Sequence, residues 1–112
     1  PGYWKGRTLK IQHRYQLNAA LRDPFLLGAT SIDLSSVESL DDLDLKFVAE
    51  AFPAIRSITL TGAADISDDG LLYLLSKHGH CLQILRVERC FKLTNETMEH
   101  ISRFCRALRR LN

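Results

Sequence analysis

Cysteine is scarce in this chain and odd in number: Cys81, Cys90 and Cys105 are the only three among 112 residues. Such a set cannot complete a disulfide framework, which points to a reducing, intracellular setting and away from a secreted one. Proline (3) and glycine (6) are thin as well, so collagen-like and linker-like chains are excluded. No apolar run approaches the roughly 18 residues of a membrane-spanning helix. Cysteine pairs at zinc-finger spacing and a glycine-rich phosphate loop are both missing. What is present is 46% hydrophobic and 25% charged residues, enough apolar surface to offset the entropy of ordering about one domain.

Charge is distributed unevenly. The net charge is +2, yet residues 1–22 carry five bases and no acid. Residues 23–75 carry ten acids against Lys46 and Arg56, and residues 76–112 carry eight bases against three acids. This basic–acidic–basic layout predicts that particular faces meet particular charged partners. The acid-free start, opening on Pro1 and not Met, predicts a processed or trimmed chain. Residues 1–28 stand outside the periodicity described next and read as a basic N-terminal cap or arm, with Trp4, Leu9, Ile11, Tyr15 and Leu17 supplying apolar surface.

Residues 29–112 are self-similar. Ile32, Ile58, Leu85 and Leu111 follow one another at 26, 27 and 26 residues, and Leu34, Leu60 and Val87 at 26 and 27. Leu40, Ile66 and Leu93, then Val48, Leu74 and Ile101, keep the same two intervals. Each unit opens with a period-two segment, at 31–35, 57–61 and 84–88, the mark of a strand with one buried face. A polar turn and an amphipathic helix follow. Ser67 before Asp68 and Asp69, and Thr94 before Glu96, suit helix caps with acids at the positive helix end. Leu71, Leu74 and Leu75, then Met98, Ile101 and Cys105, supply the inward stripes. The spacing predicts about three stacked strand–turn–helix units. A fourth strand begins at Leu111, its open end calling for further sequence or another subunit.

The run Cys81-Leu82-x-x-Leu85-x-Val87-x-x-Cys90-x-x-Leu93-Thr94-x-x-x-Met98-x-x-Ile101, with Ile66-Ser67-Asp68-x-Gly70-Leu71 one unit earlier, resembles the cysteine-containing subclass of leucine-rich repeats, the F-box and ribonuclease-inhibitor-like kind. The resemblance implies an α/β fold, a right-handed leucine-rich-repeat solenoid with parallel strands on the concave face and helices on the convex face. Repeats of this subclass occur in substrate receptors of F-box ubiquitin ligases and in mitochondrial coupling factor B of ATP synthase. The implied function is a non-catalytic protein–protein interaction module or adaptor in a multi-subunit complex; the alternative is a small mitochondrial accessory or assembly subunit. Strand alternation then names the partner-binding positions of the concave face: Ser31, Asp33, Ser35, Ser57, Thr59, Thr61, Ile84, Arg86 and Glu88.

Catalytic and metal chemistry find less support. Of His78, His80, Cys81, Cys90, His100 and Cys105, only His78-Gly79-His80-Cys81 is tightly clustered, so no metal site and no cofactor is expected. Cys81 beside His80 lacks the positioned base a nucleophile needs, and no catalytic residue is expected. Asp41, Asp42, Asp44, Asp65, Asp68 and Asp69 do not follow calcium-loop spacing and read as helix-start acids. Bases interleave with aromatics near the N-terminus, and Arg103, Arg106, Arg109 and Arg110 cluster near the other end. Such groups suit phosphates, but the acidic middle third repels a polyanion, and nucleic acid is disfavoured.

Overall fold

Inward-pointing Ile32, Ile58 and Leu85, each between two half-exposed neighbours, set the sheet. The structure, a computed structural model, describes residues 2–112. Pro1, and with it the expectation of a processed start, lies outside the described residues. The elements run β1 (Leu9–Lys10), α1 (Arg14–Ala20), a 3-10 turn at Leu26–Gly28, β2 (Ser31–Asp33), α2 (Asp42–Ala51), β3 (Ser57–Thr59), α3 (Asp68–His78), β4 (Ile84–Arg86), α4 (Asn95–Phe104) and β5 (Arg110–Leu111). All five strands are parallel and lie side by side in chain order. Every crossover therefore steps in the same direction, and with right-handed crossovers all the helices fall on one face. Among the described residues, no element covers the other face.

Local chemistry explains the helices. Asp41 caps α2 by accepting from the Asp44 amide at 3.0 Å, and Asp44 returns the bond to the Asp41 amide at 3.1 Å, a reciprocal cap. The helix stops before Phe52-Pro53, since the residue ahead of a proline avoids helical backbone. In α3, Leu71, Leu74 and Leu75 are buried, as their spacing requires. Thr94 caps α4, its Oγ1 accepting from the Glu96 amide at 3.2 Å. Here the inward stripe departs from expectation: Thr97 and Ile101 are buried while Met98 is 53% exposed. At about 100° per residue, Thr97, Ile101 and Phe104 share a face, and Met98 sits one step around. A Cβ on Gly79 would lie 2.5 Å from the Leu75 carbonyl oxygen and 2.7 Å from Phe104 Cβ, so only glycine lets the ends of α3 and α4 meet this closely.

One core joins everything. Leu17 and Ala20 of α1, Ile11, the strand residues Ile32, Ile58 and Leu85, and Leu45, Val48, Phe52 and Leu74 belong to a single buried cluster. The segment before residue 29 is thus built into the sheet through β1 and into the core through α1.

This overturns the expected leucine-rich-repeat solenoid, its concave and convex faces, and the resemblance to F-box, ribonuclease-inhibitor-like and coupling-factor repeats. The radius of gyration is 12.8 Å and the extents are 35 × 28 × 20 Å. A compact domain of this length has a radius of gyration of about 13 Å. A horseshoe accumulates its curvature from a small rotation at each of many units whose cores meet only their neighbours. Here a few units and the N-terminal segment close on one shared core. What the 26- and 27-residue intervals encode is strand register: Ile32 opposes Ile58, Ile58 opposes Leu85, and Leu85 opposes Leu111. The adaptor, ubiquitin-ligase and mitochondrial accessory-subunit functions leaned on the repeat architecture and fall with it.

Candidate binding face of the sheet

The face opposite the helices carries two rows of side chains. Ser31, Ser57 and Ile84 stand side by side in one, and Asp33, Thr59 and Arg86 in the other. Register extends both rows beyond the residues named from sequence: Lys10 opposes Asp33, and Arg110 opposes Ile84. Thr8 Oγ1 lies 3.0 Å from Ser31 Oγ, tying the N-terminal segment to the first row. Ser35, Thr61 and Glu88 are not on the strands but in the turns beyond them, because alternation in the sequence runs two residues past the paired ladder. Asp33 is already occupied, its Oδ1 accepting from the Ser35 amide at 2.9 Å and the Ser35 hydroxyl at 2.6 Å. Arg86 Nη1 lies 2.9 Å from the Asn112 side-chain oxygen once that amide is oriented to satisfy both its groups.

At the trailing rim, where strands end and helices begin, acids are consumed in a ladder. Asp42, the first residue of α2, accepts from the Ser67 amide at 2.7 Å and from the Ser67 hydroxyl. Asp68, the first residue of α3, accepts from the Thr94 amide at 2.9 Å and from the hydroxyls of Thr94 and Thr97. Both α2 and α3 thus begin with a carboxylate that binds the cap residue of the next helix. Burial works against ionisation of Asp68, but the Thr94 and Thr97 donors and the charge of His100 outweigh it and hold its carboxyl below the ordinary value. Asp44 behaves alike: burial opposes its charge, while Arg14, with the Asp41 amide, overcomes that and lowers it. Arg14 grips Asp44 through both oxygens at 2.9 Å and donates to the Glu38 and Ser39 carbonyls at 3.1 and 2.9 Å. Its own guanidinium is held charged, chiefly by that Asp44 hydrogen bond.

The leading rim, where strands begin, is basic. Backbone bonds lock its rungs: the Arg56 amide donates to the Thr30 carbonyl at 2.7 Å, Gln83 to Arg56 at 2.6 Å and Arg109 to Gln83 at 2.7 Å. By the strand register, Arg7 stands beside Thr30 on the same line. Arg7 also places its guanidinium 4.4 Å from the Tyr3 ring centre. Among the described residues, ion pairs are formed by Arg14, Lys77 and Lys92; Arg7, Arg56, Arg109 and Arg110 are exposed and have none. Sequence reasoning missed this line. Its signal was there, since Thr30, Arg56, Gln83 and Arg109 follow at the same 26, 27 and 26 residues as the core columns.

Groups with reactive potential are engaged structurally. The buried His78 Nε2 lies 2.7 Å from the Ala49 carbonyl, bridging α3 to α2. Cys90 is buried with its thiol 3.1 Å from the Leu60 carbonyl. Burial pushes the thiols of Cys90 and Cys105 up, away from the thiolate a nucleophile or metal ligand requires. Among the described residues, no three of His, Cys, Asp and Glu converge as metal ligands would. Among the described residues, no helix is long and apolar enough to cross a membrane.

Comparison with known proteins adds no relative to these observations: no family model matches the chain, and no curated protein matches it.

Proposed function

We propose that this domain binds a protein partner across the uncovered face of its sheet. The observation that carries this is the one-sided layering. Five parallel strands in chain order send every helix to one side, and two registered rows of side chains, polar or charged apart from Ile84, face outward on the other. A rigid backbone holds these rows at fixed spacing, which favours recognition by shape and charge. Ser31, Ser57, Thr59 and Arg86 form its centre, flanked by Lys10 and Arg110; Ser35, Thr61 and Glu88 would contact a partner only from the turns. Asp33 orients Ser35 more than it offers a free charge. Binding is favoured over catalysis because His78 and Cys90 already have backbone partners. An intracellular setting accords with three cysteines carried as free thiols.

The test is a photo-crosslinking map of the full chain in its native complex. A crosslinker at Thr59 or Arg86 should yield a partner adduct, and one at Phe47 or Met98, exposed on the helical side, should not. Adducts confined to Phe47 and Met98 would place the partner on the wrong side and end the proposal.

A further inference from the structure

The uncovered face ends, on its leading rim, in two adjoining hollows of about 340 Å³ each that share Gln83 and Ile84. One includes Arg7 and Arg56, the other Arg109 and Arg110. Along the rim, Arg7, Thr30, Arg56, Gln83 and Arg109 occupy five successive rungs, so arginine stands on the first, third and fifth. Strands sit about 4.8 Å apart, which spaces the three arginines by about 9.6 Å. Polyproline-II chain repeats every three residues at about 3.1 Å each, or about 9.3 Å. A segment in that conformation laid across the strands would put every third side chain opposite an arginine. Charged linkers repel themselves into extended form and already favour this geometry.

We infer that the leading rim receives an acidic, extended segment of the protein partner, with carboxylates at every third residue paired to Arg7, Arg56 and Arg109. This rests on the uncovered face being the docking surface. Charge complementarity is its ground. Among the described residues these arginines have no carboxylate partner, whereas Asp42, Asp44 and Asp68 at the opposite rim are bound internally. Bidentate arginine–carboxylate pairing is the strongest use for such a line. A single-stranded nucleic acid fits less well: strands of that kind stack their bases on aromatic side chains, and neither hollow is lined by one.

The experiment is fluorescence anisotropy with the whole domain and a labelled peptide of about nine residues bearing Glu at every third position. Arg56→Glu with Arg109→Glu should weaken binding about tenfold or more, Arg56→Gln with Arg109→Gln by less, and added salt should weaken it further. Unchanged binding in both double variants overturns the inference. So does tighter binding of an RNA oligonucleotide of equal charge than of the peptide. If crosslinks at Thr59 and Arg86 persist undiminished in the reversed variant, the docking face stands and the acidic segment alone is refuted. If they were never formed, the docking face itself fails.

Discussion

The two rims of this sheet are built from the same intervals and spend their charge in opposite ways. At the trailing rim, Asp42 and Asp68 each hold the cap residue of the following helix, and Asp44 holds Arg14 of the N-terminal segment. At the leading rim, Arg7, Arg56, Arg109 and Arg110 project without a carboxylate partner among the described residues. Helix dipoles favour this sorting, since acids gather at helix starts and bases at helix ends. They do not explain why only one side is satisfied from within. The difference teaches that charge at the trailing rim serves the fold, while charge at the leading rim is left for something else. Four measurements sharpen or break that contrast.

The largest effect is expected at Asp68, which is only 9% exposed. Asp68→Ala strands the Thr94 amide and two hydroxyls and should cost about 2–3 kcal/mol of stability in a urea titration. Asp68→Asn retains one acceptor and should cost less. A cost under about 0.5 kcal/mol, the size of an ordinary surface change, would break the contrast from its structural side. Gly70→Ala comes next. Its Cβ would lie 2.2 Å from Asp42 Oδ1 and 2.7 Å from Asp42 Cγ, forcing the carboxylate off Ser67 and costing about 1–2 kcal/mol. Part of that penalty should vanish in an Asp42→Ala background, because the two nearest atoms are then gone while the Cβ, 2.9 Å away, remains. A double-mutant cycle reads this as coupling.

Acid follows. A carboxyl whose pKa is lower in the folded chain than in the unfolded one stabilises the fold above its unfolded value, and loses that contribution as pH falls through the folded value. Asp44 and Asp68 are both lowered. Stability should therefore be level near neutrality and decline below about pH 4. Asp44→Asn and Asp68→Asn should each flatten that decline, measured as unfolding midpoint against pH. An equal slope in both variants would mean that the trailing rim does not carry the acid sensitivity.

Much of this was legible in the sequence. Ile32, Ile58, Leu85 and Leu111 fell at intervals of 26, 27 and 26 residues, and those intervals became register in one sheet. The cap positions at Ser67 and Thr94 were readable from the acids behind them, though not that Asp42 and Asp68 reach across to those caps, which needs the helices side by side. Overall shape was hidden. Periodicity is blind to whether stacked units bend into an open arc or close on one core, and the outcome turned on Ile11, Leu17 and Ala20, which lie outside the periodic region. Met98 failed because a helix stripe read from three apolar residues is ambiguous by one position. The rows at Asp33, Thr59 and Arg86 were legible through alternation. The arginine line was harder to read, because burial holds the apolar columns to one chemistry whereas this exposed column mixes Thr30 and Gln83 with Arg56 and Arg109.

The smallest expected effect on stability belongs to the leading rim, and it is the sharpest test of the contrast. Arg56→Glu and Arg109→Glu remove exposed guanidinium groups that form no ion pair among the described residues. What their backbones contribute, the bonds to Thr30 and Gln83, survives any side-chain change. Each variant should therefore keep its unfolding free energy within about 0.5 kcal/mol of the parent. Relief of repulsion between neighbouring bases even favours a slight gain at low salt, shrinking as ions screen it. A loss well above that range would show these arginines supporting the fold as Asp68 does. The two rims would then differ only in sign, and the case for a line of charge kept open for a partner would be gone.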